Sequence, residues 1–125
     1  MAIEENDRAF SLLKYEADKN YCREVVTIAS GQNLKMGTIV GEKSADGTYK
    51  IVSIAADETD GSDTPIGVLM EDVDATSAAK EAIIVARDVI VAESALIYPT
   101  GATADQKKAL KKALEGRGIV ARAIA

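Results

Sequence analysis

The feature that most constrains this chain is an ordered series of short apolar blocks, each punctuated by glycine or proline, with few reactive side chains between them. The blocks read Gly31-Gln-Asn-Leu-Lys-Met-Gly37-Thr-Ile-Val-Gly41, Pro65-Ile-Gly-Val-Leu69, Val89-Ile-Val-Ala-Glu-Ser-Ala-Leu-Ile-Tyr-Pro99 and, after a helical stretch, Gly116-Arg-Gly-Ile-Val120. Short runs of β-branched and aliphatic residues bounded by turn formers are the pattern of strands in a small β domain. The core has to be built from Val, Ile, Leu and Ala, because the chain is 47% hydrophobic but only 4% aromatic. With 125 residues, a single domain can bury such a core without disulfide or metal staples.

Local signals divide the chain further. Residues 1–24 are charge-rich and without a clear period, yet they include Phe10, Leu12, Leu13, Tyr15 and Tyr21. They read as an N-terminal arm, and the folded domain, residues 25–125, begins with the β-branched runs at Val25. On pattern alone, Phe10 to Tyr15 can equally be the first strand of the domain itself. Thr38–Lys43 and Thr48–Ile54 flank Ser44-Ala-Asp46-Gly47, and Asp-Gly favours a tight hairpin with positive φ at consecutive positions. Asp57–Thr64 is expected as an exposed loop, Pro65–Met70 as a strand, and Glu71–Lys80 as a loop. Glu81–Val91 should be extended, with a bulge or bend at Arg87-Asp88, and Leu96–Tyr98 extended again.

Thr103 with Gln106 forms a capping box, and Gly116 suits a left-handed C-terminal position, so a helix is expected over residues 104–115. Gln106, Leu110, Ala113 and Leu114 share one side of it, and Lys107, Lys108, Lys111 and Lys112 the other. A last strand is expected over Ile119–Ile124. With about six short strands and one helix, the expected fold class is mainly β (α+β). It is a small curled sheet or β-barrel-like domain with one α-helix near the C-terminus and an N-terminal arm.

Charge and composition narrow the chemistry. Residues 1–100 hold 9 Lys+Arg against 18 Asp+Glu, and residues 101–125 hold 6 against 2. A net charge of −5 repels a phosphate backbone, and the basic tail has no interleaved aromatics to stack bases, which argues against nucleic acid as a partner. No apolar run approaches the length needed to span a bilayer, and no secretory leader opens the chain, so synthesis in the cytoplasm is expected. The chain has no His, which removes the commonest general base and zinc ligand. The single cysteine, Cys22, sits beside Arg23 but has no nameable base as partner, and reads as a structural thiol.

Other motifs weaken on inspection. Counted from Asp57, the acidic segment Asp57-Glu-Thr-Asp-Gly-Ser-Asp63 puts Ser62 where a calcium loop needs glycine and Val68 where it needs a closing Glu. A solvated turn fits it better. Gly41-Glu-Lys-Ser44 lacks both the Gly-Lys adjacency and the following helix of a phosphate loop. Leu34-Lys35-Met36 resembles the modified lysine of carrier domains only in part, since Leu34 stands where those have Met. Lys107/Lys111 and Lys108/Lys112 are like-charged pairs four apart on a helix. They make either a soluble face favouring the helix C-terminus or a contact for an acidic partner. No catalytic residue, cofactor or metal site emerges, and the chain reads as a binding scaffold with no enzymatic activity.

Taken in order, four blocks carry a resemblance: Gly31 to Val40, Pro65 to Leu69, Leu96 to Pro99 with the Lys-rich helix after it, and Arg117 to Val120. The chain resembles the head decoration proteins of lambda-type tailed bacteriophages. That resemblance implies a β-rich domain that forms a homotrimer and binds the outer capsid surface of the expanded head at three-fold positions, stabilising the shell. Its implied partner is the major capsid protein, and its implied location is the virion. The resemblance also implies that N-terminal arms become ordered on the capsid, which makes Phe10, Leu12, Leu13, Tyr15 and Tyr21 the candidate capsid contacts. The arm here is charged rather than Ser/Thr/Pro-rich. The competing expectations are a β-barrel adaptor outside any virus and a carrier domain modified at Lys35.

Overall fold

Ile39-Val40, Val68-Leu69 and Ile84-Val85 are pairs of adjacent apolar residues. Successive side chains of a strand point to opposite faces, so strands of this kind have to be covered on both sides. The computed structural model describes residues 13–16 as backbone, and residues 22–54 and 60–123 in full. In it Val40, Leu69 and Ile84 pack into one core, with Ile28, Leu34, Val73 and Ala82. Ile39, Val68 and Val85 turn the other way into a second core, with Val89, Val91, Leu110, Leu114 and Ile119.

Among the described residues the strands are β1 (Leu13–Glu16), β2 (Arg23–Ile28), β3 (Gln32–Leu34), β4 (Ile39–Glu42), β5 (Tyr49–Ile51), β6 (Pro65–Leu69), β7 (Val73–Ala75), β8 (Lys80–Val85), β9 (Val89–Ala92) and β10 (Ile119–Arg122). The helix α1 spans Ala104–Glu115. Strands β2-β5-β4-β6-β8 close into a barrel, β3 and β7 form a two-stranded annex, and β1-β9-β10 form a separate three-stranded sheet. The first core fills the barrel, and the second lies between the barrel, the three-stranded sheet and α1.

Because β9 and β10 are parallel, their connection must cross over, and α1 is the crossover element. Thr103 caps α1 as the sequence predicts: its hydroxyl accepts from Gln106 N–H at 3.2 Å, and Gln106 Oε1 accepts from Thr103 N–H at 2.8 Å. Leu110 and Leu114 are buried, so the helix docks through them, while Ala113 is exposed despite lying on the same nominal side.

Several expectations need correction. The hairpin between β4 and β5 forms, but positive φ occurs at Gly47 alone (71°), not at consecutive residues. The loop is longer than a two-residue turn: Gly47 N–H donates to Lys43 C=O at 2.9 Å, and Asp46 takes over Thr48 N–H at 3.0 Å. Within the acidic segment, Ser62 is fully buried instead of solvated, and its carbonyl accepts from Ser53 N–H at 2.9 Å. Residues 55–59 lie outside the described residues.

The stretch Glu71–Lys80 contains β7, paired antiparallel with β3, because Val73 and Ala75 alternate inward around exposed Asp74. The bend at Arg87-Asp88 is larger than a bulge: Asp88 takes φ 55°, and the chain leaves the barrel for the second sheet there. The left-handed glycine after α1 is Gly118 (φ 84°), while Gly116 stays right-handed at −61°. A Cβ on Gly118 would lie 2.8 Å from Asp88 Oδ1 and 3.0 Å from Asp88 N, so β9 and β10 start from a contact that only glycine permits.

Near the N-terminus, β1 pairs antiparallel with β9, Leu13 opposite Val91 and Tyr15 opposite Ile90. Cys22 is fully buried, and β2 begins at Arg23. The alternative reading of this stretch as a strand of the domain itself therefore has its counterpart at Leu13–Glu16.

Candidate functional site

Several of the polar side chains that attracted attention in the sequence are occupied within the fold. Cys22 is buried, with its Sγ 3.6 Å from Asp88 O, the arrangement of a structural thiol. The lysine face of α1 is split in two. Lys111 makes an ion pair with Glu93, and the Lys107 Nζ lies 5.4 Å from the centre of the Tyr98 ring. Lys108 and Lys112 remain exposed. Glu93 holds the Lys111 ammonium by hydrogen bond and charge, raising its pKa, and burial raises that of Tyr98.

One recurring device escaped the sequence reading: the triplets Asp46-Gly-Thr48, Asp60-Gly-Ser62 and Asp74-Ala-Thr76. In each, the aspartate carboxylate accepts both the backbone N–H and the hydroxyl of the residue two positions on. The distances are 3.0 and 2.7 Å at Asp46, 2.9 and 2.5 Å at Asp60, and 3.1 and 2.5 Å at Asp74. These bonds favour the ionised carboxylate and hold all three pKa values below the ordinary 3.8. Lys50, 3.2 Å from Asp60, adds to the effect there. The Asp-x-Ser/Thr spacing was the available signal. It marks self-bonding turns that fix loops, so the carboxylates serve the backbone.

Lys35 is exposed, yet it does not occupy a hairpin tip. Strand β3 before it pairs with β7, and β4 after it pairs with β5 and β6, so the geometry that presents a carrier lysine between paired strands is missing. Met36 N–H is taken up instead by Asp72 Oδ1 at 2.9 Å. Among the described residues no group of three or more Cys, Asp or Glu converges as a metal site, and no helix is long and apolar enough to cross a membrane.

What the fold offers outward is strand edge and loop surface. Strand β1 is one edge of the β1-β9-β10 sheet. Of the candidate contact residues, Leu13 and Tyr15 are placed together on β1, whereas Phe10, Leu12 and Tyr21 lie outside the described residues. The large exposed hydrophobics among the described residues are Val25, 65% exposed on β2, and Ile97.

No curated protein matches the sequence. A family model described as bacteriophage lambda head decoration protein D matches residues 2–119. The match spans the N-terminal segment, the barrel, α1 and the start of β10, so it covers the fold just described and not one motif of it. That family is structural and not enzymatic, and membership implies a capsid decoration role in the virion of a phage. The chain belongs to the bacteriophage lambda head decoration protein D family.

Proposed function

We propose that the protein is a cement protein: a homotrimer that sits at three-fold positions on the outer surface of the expanded head, grips the major capsid protein and stabilises the shell. The observation that carries this reading is the family match over residues 2–119, which includes the N-terminal segment as well as the body. The internal use of the loop aspartates and of Cys22, Lys107 and Lys111 supports a role exercised through shape and backbone rather than bond-making.

Phe10, Leu12, Leu13, Tyr15 and Tyr21 supply the proposed grip. Burying large apolar side chains contributes roughly 1.5 to 3 kcal/mol each, against about 1 to 2 kcal/mol per residue for ordering backbone, so one N-terminal segment alone binds weakly. Three on one trimer make the later contacts intramolecular and raise avidity roughly 10² to 10⁴ fold when the sites match. Addition of the segment to a capsid sheet suits this role, because main-chain hydrogen bonds provide most of the affinity. The protein would be made in the host cytoplasm and act on the virion.

The test is cosedimentation with empty expanded capsids, combined with limited proteolysis. Wild-type protein should pellet with capsids, and residues 8–20 should be cut more slowly in the bound state. Failure to pellet would refute capsid binding. Equal cutting in both states would refute the role of the N-terminal segment alone.

A further inference from the structure

Strand β2 pairs along its length with β8 but only at its end with β5. Toward β8 its pairs run from Arg23↔Val85 to Ile28↔Lys80, whereas toward β5 the ladder consists of Ile28↔Tyr49. Ala86 N–H donates to Cys22 C=O at 2.7 Å, and Ala29 N–H donates to Tyr49 C=O at 2.8 Å. Even-numbered residues of β2 therefore bond toward β8, and odd-numbered ones face the β5 side. Val25 is one of the latter, and β5 begins only at Tyr49, too late to reach it. The N–H and C=O of Val25 thus lie on an open strand edge with no partner among the described residues.

Beside this edge the barrel wall opens into a groove of about 400 Å³, lined by Val26, Tyr49, Ile66, Ile84 and Arg117 among others. Arg87 on the same groove is paired with Glu24 at 2.8 Å. Arg117 is different: its Nε–H is held by Ile66 C=O at 3.0 Å, which fixes the side chain at the rim. Its terminal guanidinium nitrogens have no partner among the described residues. An open backbone edge, a mainly polar groove beside it and a guanidinium held at its rim specify an extended occupant. Its main chain would add to β2, an alternate side chain would lie in the groove, and a carboxylate would meet Arg117.

We infer that this seam accepts an extended acidic segment of the capsid subunit, adding as a strand along Val25. The inference rests on the capsid-binding reading above and deepens it, because the attachment has the opposite polarity to that of the N-terminal segment. There the decoration protein donates a strand; here it receives one. The charge left open at Arg117 selects an acidic segment over a neutral one.

Hydrogen exchange on the full chain, free and bound to empty expanded capsids, tests this directly. The Val25 amide should slow by about tenfold or more on binding, while Val26, already bonded toward β8, stays unchanged. Arg117→Glu should weaken cosedimentation about tenfold, with only the small fall in melting temperature that losing the exposed bond to Ile66 C=O brings. If that variant fails to fold, the exchange measurement on wild-type protein decides alone. Capsid binding with unchanged exchange at Val25 would overturn the seam and leave the decoration role intact. Protection of Val25 that grows with protein concentration in the absence of capsids would assign the seam to another copy of the chain, and so overturn the inference. Absence of wild-type cosedimentation would remove both readings together.

Discussion

Gly37 and Gly31 provide a matched pair of perturbations on the same apolar block. Both have positive φ, 99° and 91°. An alanine at Gly31 would meet nothing within 4 Å, whereas one at Gly37 would collide with the backbone carbonyl of Ala95. Left-handed backbone costs an L-residue about 1 to 2 kcal/mol, and loss of glycine's freedom in the unfolded chain offsets about 0.4 to 1 kcal/mol. Gly31→Ala should therefore destabilise by about 1 kcal/mol. Gly37→Ala carries the same cost plus about 1 to 3 kcal/mol for displacing a packed backbone, because Ala95 cannot retreat freely. The segment after it is held by Ile97 N–H donating to Gly37 C=O at 2.8 Å and by Ile39 N–H donating to Ile97 C=O at 3.2 Å. Urea unfolding at 25 °C should place the Gly37→Ala midpoint about 1 M below that of Gly31→Ala, with m near 2 kcal/mol/M for both. Two variants agreeing within about 0.5 kcal/mol would refute the close-approach reasoning and leave backbone strain as the whole effect.

Three further expectations concern the helix and the aspartate turns. Leu114 is fully buried in the second core, so Leu114→Ala should cost about 3 to 5 kcal/mol in chemical denaturation, because the surrounding sheet cannot collapse into the space. Thr103→Ala removes one half of the capping box and should cost about 1 kcal/mol, read from the same unfolding curves. Asp60 has a depressed pKa, from the Ser62 hydroxyl first, then the Ser62 backbone N–H and Lys50. The sign is that of a carboxylate ionised more readily in the folded state. Its contribution is complete above the ordinary value of 3.8 and is lost as the pH falls below it toward the folded pKa. Asp46 and Asp74 act in the same direction. Asp60→Asn should thus flatten the fall in urea midpoint between pH 5 and pH 2, and a fall identical to wild type would contradict the assignment.

The sequence determined the elements whose signals are local. The capping box at Thr103 and Gln106, the helix through Glu115 and the hairpin around Asp46-Gly47 depend on contacts between residues a few positions apart, and each is present. The order of glycine-marked blocks likewise pointed to a β-rich scaffold and to the decoration-protein family, which the match over residues 2–119 shows. Local signals failed where strands have only three residues, as in β3 and β7, because so short a stretch shows no period. They failed also where partners are distant. The parallel pairing of β9 with β10, the burial of Ser62 under Gly41 and the meeting of Asp88 with Gly118 join residues far apart in the chain.

Tertiary structure alone decided which face of each two-sided strand entered which core, since Ile39-Val40 reads the same either way until the barrel closes. It also decided the open edge at Val25: a strand's hydrophobic pattern says which way side chains point, but not which of its two edges finds a neighbour. Edge pairing is a property of where the next strand stops, and β5 starts too late to cover β2.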